Sequence, residues 1–274
     1  MKAKKLWALL MALAMVFSLA ACGDTAEDTS DAENTDTAEA SDLAYVQDKG
    51  TLVVGITEFE PMDYQNESGE WVGFDADLAK EFAESLGVEA QFQIIDWDSK
   101  IMELDGKTID VVWNGMTLTE DVTSAMECSQ PYLINQQVVV VPAAVADQYQ
   151  SEDSLTDLAF AVEIGSAGYE IAAANGYNYT EVADQATALL EVASGTADAA
   201  IIDSLMAGAM IGEGTSYADL TSTVALTSEE YGVGFRKGSD LAAALNEFLD
   251  GKYADGSIQT LAETYGVQDA LVQE

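Results

Sequence analysis

The sequence predicts an α/β fold in which short buried strands alternate with amphipathic helices. Two observations support this prediction. From residue 43 onward the composition is that of a globular chain, and within that stretch short apolar runs alternate with segments of helical periodicity. Such alternation favours parallel sheets, whose ligands bind beyond the carboxyl ends of the strands. The stretch is long enough to form one large core or two modest ones.

The individual elements follow from the same patterns. The predicted strands are the apolar runs at 51–56, 90–95, 110–113, 138–141, 160–162, 199–202 and 232–235. The predicted helices span 75–86, 184–194 and 239–249. In the first helix Leu78 and Phe82 share a face, and Gly87 stands where a helix commonly ends. In the second helix, Asp184 is placed to cap the start and Gly195 to stop the end.

The first 21 residues have the layout of a cleaved export signal. Three lysines precede an apolar run at 6–19, and two alanines then lead to Cys22. The run is shorter than the roughly 20 residues that cross a bilayer. A cysteine directly after the cut resembles a bacterial lipobox, which predicts that residues 1–21 are a signal peptide and that Cys22 carries a lipid. We therefore expect the protein on the outer face of the cytoplasmic membrane of a Gram-positive-type bacterium.

Residues 22–42 are acidic, rich in Thr, Ser and Ala, and free of aromatic residues, which predicts a disordered linker. Without the first 21 residues the chain holds seven basic and 49 acidic residues, a formal charge of −42. A chain so acidic offers no basic surface for nucleic acid. It contains no histidine, so Ser-His-Asp chemistry is excluded and a zinc site is disfavoured. We expect no cofactor, no metal and a monomer, with Cys128 a small half-buried residue.

Eight stretches, taken together and in order, resemble the family 3 extracellular solute-binding proteins, the polar amino-acid class of bacterial ABC importer receptors. They are LVVG at 52–55, GFDADLA at 73–79, DWDS at 96–99, DVVWNGMTLT at 110–119, QPY at 130–132, GS at 165–166, DAAIID at 198–203 and YGVGFRKG at 231–238. Each stretch alone is a weak signal. Their order and spacing cover nearly all of residues 43–270.

The resemblance implies a two-lobe periplasmic-binding-protein-like fold of type II, with a ligand cleft between lobes joined by two crossing strands. Lobe one would take residues 43–137 plus 232–274, and lobe two residues 138–231. The crossings are expected at 138–141 and 232–235. A solute bound between the lobes would close them, and the closed form is what the permease subunits of the importer would recognise.

The resemblance also implies a set of ligand-binding positions. Phe59 and Trp97 stand where lobe one packs a ring on the solute, and Trp113 is a further candidate for that wall. Gly115 stands where backbone approaches the solute closely, and Thr117 where a hydroxyl bonds it. Asp203 stands where a carboxylate takes the solute's ammonium, although a carboxylate at a helix start also reads as a plain N-cap.

Other positions depart from the family pattern. The arginine that takes the solute α-carboxylate is replaced by Val122. The hydroxyl expected after Ser166 is replaced by Ala167, although backbone N–H groups at a helix start can serve instead. An early acidic residue is displaced, so that Glu58 or Glu60 stands in, and Glu163 points a further carboxylate toward the cleft.

Another cation would have to compensate for the missing arginine. Arg236 and Lys237 are expected on the surface of lobe one. Lys100, three residues after Trp97, is the one basic residue that we place near the cleft. Without such a cation, desolvating a solute carboxylate costs several kcal/mol.

These observations leave several functions open. The first is a receptor that delivers a small polar amino acid, or a similar solute, to an ABC permease. The second is a receptor for a cationic or neutral amine without an α-carboxylate, held by carboxylates and aromatic faces. An enzyme is disfavoured by the missing histidine and arginine. A sensor is set aside because no signalling segment follows the domain in this sequence.

Overall fold

The computed structural model describes residues 41–273, which fold as strands and helices in alternation. The strands are β1 (Thr51–Ile56), β2 (Tyr64–Gln65), β3 (Trp71–Val72), β4 (Glu89–Ile94), β5 (Val111–Thr117), β6 (Glu127–Cys128), β7 (Leu133–Asn135), β8 (Gln137–Pro142), β9 (Ala159–Glu163), β10 (Asn178–Val182), β11 (Ala199–Asp203), β12 (Leu220–Ala225) and β13 (Glu229–Phe235). The helices are α1 (Asp42–Lys49), α2 (Phe74–Ser85), α3 (Lys100–Asp105), α4 (Glu120–Ala125), α5 (Ala167–Asn175), α6 (Gln185–Ser194), α7 (Ser204–Met210), α8 (Leu241–Asp255) and α9 (Ser257–Tyr265). Short 3-10 turns lie at Trp97–Ser99, Ala143–Gln148, Glu152–Ser154 and Gln268–Ala270.

The first of two large sheets has the strand order β4-β1-β5-β13-β6, with β7 paired to β13. β1 runs parallel to β4 and β5, whereas β13 runs antiparallel to β5. The apolar face of α2 covers this sheet with Leu78 and Phe82, both fully buried. Helices on the face of a sheet bury its strands, which explains why β1 is an almost continuous apolar run.

The second large sheet has the order β10-β9-β11-β8-β12. β9 runs parallel to β10 and β11, while β8 runs antiparallel to β11 and β12. Its helix α6 begins at the predicted cap, where the Asp184 side chain accepts a hydrogen bond from the backbone N–H of Thr187 at 2.6 Å. It ends at Gly195, which adopts φ 79°. The prediction of this helix is confirmed.

The chain passes between the two sheets twice. It leaves the first sheet after Asn135 and enters the second at Gln137, and it returns between Ala225 and Glu229. The segments expected to cross, 138–141 and 232–235, lie inside β8 and β13. The crossings lie earlier in the chain, at Gln136 and at residues 226–228. Two sheets joined by two crossings are the predicted two-lobe α/β fold, and the full lobe boundaries stay a prediction.

Other elements differ from their predicted bounds. The helix expected at 239–249 begins at Leu241 and continues through Gly251 to Asp255. The strands β10 and β12 were not predicted, and both lie at the edges of the second sheet. β10 has no buried residue and β12 has only Leu220 buried, so neither strand shows the continuous apolar run that marked the central strands.

The predicted signal peptide, the lipid-bearing Cys22 and most of the predicted linker lie outside the described residues. The linker was expected to reach residue 42, yet Ser41 caps α1 and Asp42 is the first residue of that helix. Asp42 is buried, and its carboxylate accepts a hydrogen bond from Arg236 Nε at 2.9 Å, which offsets the cost of burying the charge. Arg236 is itself buried, so its expected place on the surface was wrong. Across residues 41–273, no helix has both the length and the apolar character to cross a membrane.

Candidate functional site

A cavity lies between the two sheets and is lined from both. Nine of the predicted site residues line it: Phe59, Trp97, Gly115, Thr117, Val122, Glu163, Ser166, Ala167 and Asp203. Lys100, Asn114, Met116, Thr119, Gly165, Glu170 and Gln185 complete the wall. The cavity therefore stands at the carboxyl ends of β5, β9 and β11, where an α/β fold places its ligands.

The apolar part of the wall comes from the first sheet and its loops. Phe59 follows β1 and packs against the ring of Tyr231 in an edge-to-face arrangement, with the ring centroids 6.4 Å apart. Trp97 opens a 3-10 turn after β4 and is largely buried. Val122, in α4, presents an apolar surface where the family pattern has a guanidinium. This wall can pack on the hydrocarbon part of a small solute.

Gly115 and Thr117, at the end of β5, face the cavity but are already engaged inside the protein. The N–H of Gly115 donates to Asp75 Oδ2 at 2.6 Å. Its backbone has φ +53°, and a Cβ there would lie 2.6 Å from the Phe59 ring, so only glycine fits. The Thr117 hydroxyl donates to Glu229 Oε1 at 2.8 Å, which leaves its oxygen free to accept a further hydrogen bond.

Asp203 ends β11 and is held by a network of amides and a phenol. Gln137 Nε2 and Tyr231 Oη donate to its Oδ1 at 2.8 and 2.7 Å. Asn135 Nδ2 donates to the same oxygen, and Gln185 Nε2 donates to Oδ2. Burial, followed by the charge of nearby Glu229, raises the pKa of Asp203 to about 7.

Glu229 belongs to the same network. Its Oε1 accepts from Asn135 Nδ2 at 2.7 Å and from Gln137 Nε2 at 2.8 Å, so both amides bridge the two carboxylates. Asn135 and Gln137 flank one crossing between the sheets, and Glu229 follows the other. The carboxylate that faces the cavity is thus tied to both connections between the lobes. We name this set (Asn135, Gln137, Gln185, Asp203, Glu229 and Tyr231) the hinge network.

Glu163 ends β9 and also faces the cavity. Its side chain is 3 % exposed, and its Oε1 has no hydrogen-bond partner. Burial, then the charges of Asp203 and Asp184, raise the pKa of Glu163 well above its usual range, while Lys100 acts in the opposite direction. Glu163 and Asp203 are therefore two buried carboxyl groups that disfavour each other's ionisation.

Lys100 begins α3 and extends across the cavity. Its Nζ donates to the carbonyl oxygen of Trp97 at 3.1 Å and to that of Gly165, in the second lobe, at 2.9 Å. It also lies 4.8 Å from the centroid of the Trp97 ring. An ammonium group carries three N–H donors, so one remains for a bound group. Burial lowers the pKa of Lys100, whereas Glu163 raises it. The expectation that Lys100 lies near the cleft is confirmed.

The turn before α5 brings the two lobes into contact. Gly165 has φ +69°, and a Cβ on it would stand 2.8 Å from the Cα of Asp98 in the first lobe. Ser166 caps α5 by accepting a hydrogen bond from the N–H of Tyr169 at 3.1 Å. Ala167 follows as the first residue of that helix. The first N–H groups of a helix have no partner within it, so they can receive an anionic group here.

Two predicted site residues do not line the cavity. Trp113 is fully buried under α2, with its ring centroid 6.1 Å from that of Phe82, so its expected place in the cleft is corrected to the core. Glu58 is exposed on the loop after β1. Burial and the charge of Asp184, from the second lobe, raise its pKa. Glu58 therefore stands near the opening between the lobes rather than on the cavity wall.

The amides of the hinge network were not predicted from the sequence. Gln185 is the first residue of α6, and it both donates to Asp203 and accepts from the Asp203 N–H at 2.8 Å. The one signal in the sequence was a glutamine directly after the helix cap Asp184, and its burial appears only in the structure. Within residues 41–273 no group of three or more acidic or cysteine side chains is arranged to hold a metal ion. Cys128 is a free, half-buried thiol whose pKa is raised by burial.

Comparison with known proteins identifies the relatives of this chain. The family model for bacterial extracellular solute-binding proteins, family 3, matches residues 52–268. The L-cystine-binding protein TcyJ of Escherichia coli (strain K12) is 30% identical over 224 residues, which are 80% of this chain and 84% of that protein. The relatives found are amino-acid-binding proteins of ABC transporters rather than enzymes.

Solved structures share the fold. An ABC uptake transporter substrate binding protein from Streptococcus pneumoniae with bound histidine has a TM-score of 0.77 and 27% identity, and the match covers 85% of this chain and 99% of that chain. The ancestral amino acid-binding protein AncCDT-1, a precursor of cyclohexadienyl dehydratase, has a TM-score of 0.75 and 30% identity, covering 82% and 99%. The predicted type II two-lobe fold is confirmed by these likenesses.

Proposed function

Since the chain belongs to the family 3 extracellular solute-binding proteins of bacteria, we propose that it is the membrane-anchored receptor of an ABC importer. It captures a small polar amino acid, or an amino-acid-like solute, between its two lobes and delivers it to the permease subunits. The observation that carries the proposal is the cavity between the sheets, where Lys100 and two buried carboxyl groups, Glu163 and Asp203, surround a small apolar wall. Such a mixture of charges suits a solute with both ammonium and carboxylate groups.

In this proposal the solute carboxylate binds at two groups. Lys100 supplies its third N–H, and the start of α5 supplies the backbone N–H of Ala167, since that of Ser166 already donates to the carbonyl oxygen of Glu163 at 3.2 Å. Together they replace the arginine that Val122 displaces. The aromatic surfaces of Phe59 and Trp97 pack on the hydrocarbon part, and Thr117 accepts a hydrogen bond. The carboxylates of Glu163 and Asp203, which come from the second sheet, attract the solute ammonium.

The remaining features of the proposal concern location. A lipid on Cys22 holds the protein at the outer face of the cytoplasmic membrane of a Gram-positive-type bacterium, and the protein acts as a monomer. Lobe one follows the predicted 43–137 plus 232–274 and lobe two the predicted 138–231, with both boundaries moved to the crossings, Gln136 and residues 226–228. Mass spectrometry of the protein isolated from its own membrane tests the anchor, because a diacylglyceryl group on Cys22 adds a defined mass. A thiol at residue 22 in that preparation argues against the anchor.

A second candidate is a receptor for an amine that lacks the α-carboxylate. It is favoured by Val122, which removes the family's carboxylate-binding group. Thermal unfolding of the purified protein distinguishes the two candidates when each polar L-amino acid is compared with its decarboxylated amine. A ligand that binds only the folded state raises the melting temperature. A rise with the amino acids alone supports the first candidate, and a rise with the amines alone supports the second.

Lys100→Met then tests how the carboxylate is held. We expect this substitution to weaken amino-acid binding at least tenfold, because a charge-assisted hydrogen bond contributes about 1.5–3 kcal/mol. Lys80→Met is the matched control, since Lys80 pairs with Asp77 on α2, outside the cavity lining. Equal loss in both variants would assign Lys100 to structure rather than to the solute.

A further inference from the structure

The buried charges of the cavity do not balance. The ionisable side chains that line it are Lys100, Glu163, Glu170 and Asp203. Glu170 is exposed to solvent, whereas the other three are less than 9 % exposed. Two carboxyl groups thus face one ammonium, and the three groups reach a combined charge of −1 when both carboxyl groups are ionised, a state that the raised pKa values of Glu163 and Asp203 show to be disfavoured without a further cation. An uncompensated charge buried in a protein is costly, so a group that neutralises it is favoured at this place.

The two carboxyl groups differ in what they can still accept. Asp203 already receives hydrogen bonds at both oxygens from Asn135, Gln137, Tyr231 and Gln185. Glu163 Oε1, by contrast, is buried and has no partner. A buried acceptor without a donor destabilises the folded protein. The cavity therefore presents its one unsatisfied carboxylate oxygen, among the described residues that line it, at Glu163.

No basic side chain in the described part of the chain satisfies this oxygen. Among residues 41–273, no lysine or arginine nitrogen forms an ion pair with Glu163 within 4.0 Å. Lys100 is the basic side chain that lowers the pKa of Glu163, but its Nζ donates its hydrogen bonds to the carbonyl oxygens of Trp97 and Gly165. The side-chain hydrogen bond that acts on the pKa of Glu163 comes from Gln185, an uncharged amide that does not balance the carboxylate charge. A solute group that carries positive charge and donates an N–H to Oε1 would satisfy the oxygen and balance the charge.

We infer that Glu163 binds the cationic group of the solute through Oε1, and that the solute carries a net charge of +1. This inference rests on the proposed function and narrows its substrate class to basic amino acids, which carry two cationic groups and one carboxylate, and to monoamines. In either case Asp203 is a positioning residue. It holds Gln185 and ties the cavity wall to both crossings, while Glu163 makes the contact with the solute.

Matched pairs of solutes test the inference on the full-length protein. L-Arginine and L-citrulline have nearly the same shape, but their net charges are +1 and 0. L-Lysine and L-norleucine form a second such pair. For the amine branch, each neutral polar amino acid, of charge 0, is compared with its decarboxylated monoamine, of charge +1. Calorimetric titration gives each dissociation constant, and we expect the +1 member of at least one pair to bind ten times tighter or more than its neutral partner.

Substitution of Glu163 tests the residue. Glu163→Gln should reduce the preference for the +1 solute to less than threefold, whereas Glu163→Asp, which keeps the charge, should retain part of it. Glu181→Gln is the matched control, because Glu181 lies on the adjacent strand β10 and is exposed. It should bind as the unsubstituted protein does. Melting curves without solute establish that each variant is folded.

The outcomes separate the two levels of the proposal. If neutral amino acids bind as tightly as their +1 partners, the charge inference is wrong and the amino-acid receptor stands. If the +1 preference persists in Glu163→Gln, the residue assignment is wrong. If no amino acid or amine of any charge binds, the proposed function fails and the inference fails with it. The comparison of solutes on the unsubstituted protein needs no variant, so the charge inference is decided even if Glu163→Gln does not fold.

Discussion

The hinge network predicts an unusual dependence of stability on pH. Asp203 has a pKa of about 7 in the folded protein, because burial and Glu229 disfavour its charge. The ordinary value is 3.8. At pH values between these two pKa values, the folded state binds more protons than the unfolded state does. The free energy of unfolding therefore falls as the pH rises through this window, by up to about 1.4 kcal/mol per pH unit.

The magnitude follows from the width of the window. A difference of about three units corresponds to about 4 kcal/mol, fully present as stability below pH 4 and lost as the pH rises through 7. Glu163 contributes in the same direction, because its pKa is also raised. Asp203→Asn removes the first contribution while it keeps the size of the side chain. We expect its stability to vary less between pH 4 and pH 8 than that of the unsubstituted protein, by about 4 kcal/mol.

Urea unfolding without solute, repeated at each pH unit from 4 to 8, measures this difference. The comparison uses the change with pH rather than the absolute stability, because Asn also alters the hydrogen bonds from Gln137, Gln185 and Tyr231 by an amount that does not depend on the titration of Asp203. Asp219→Asn, which removes an exposed carboxyl group from the same lobe, is the control. Parallel pH profiles for Asp203→Asn and the unsubstituted protein would refute the reasoning.

Two further predictions concern single substitutions. Val122→Arg places a guanidinium on the cavity wall. We expect it to strengthen the binding of amino acids about ten- to a hundredfold in calorimetric titration, and to leave the binding of their decarboxylated amines unchanged. No gain would mean that the cleft differs from the family pattern more widely. Arg236→Met leaves the buried carboxylates of Asp42 and Asp110 without that cation. Urea unfolding should show a free energy of unfolding lower by about 3–5 kcal/mol. Lys107→Met is the control, because Lys107 is a more exposed partner of Asp42, and it should cost less than about 1 kcal/mol. Equal effects of the two substitutions would contradict this account.

Much of the fold could be predicted because its central strands are covered on both faces. The run 51–56 was predicted with the bounds of β1, since burial on both faces requires apolar residues at every position. The strands β10 and β12 could not be found in this way, because residues at the edge of a sheet are partly exposed. The helix end predicted at Leu249 was wrong because Gly251, within a helix, costs only about 1 kcal/mol and packing elsewhere outweighs it.

The candidate site was predicted through the resemblance more than through local pattern. Trp113, Gly115 and Thr117 are alternate residues of β5 and therefore lie on the same face of the strand. The sequence pattern alone could not tell which of them line the cavity. Trp113 lies two residues before Gly115, about 7 Å further from the carboxyl end of the strand, and at this distance its ring lies beneath α2. The hinge network was missed for another reason. Its amides come from distant parts of the chain, and only the folded structure brings them to one carboxylate.

The contact between Gly165 and Asp98 has a consequence for selectivity. Where flexible side chains meet across an opening, they can give way to bulky guests. Here the backbone of one lobe meets the backbone of the other, because a glycine lacks the Cβ that would hold them apart. The closest approach of the two lobes at this point is thus limited by a van der Waals contact between their backbones. A solute thicker than the gap would have to hold the lobes apart at this contact, so the contact limits the thickness of a solute that fits between them in this arrangement.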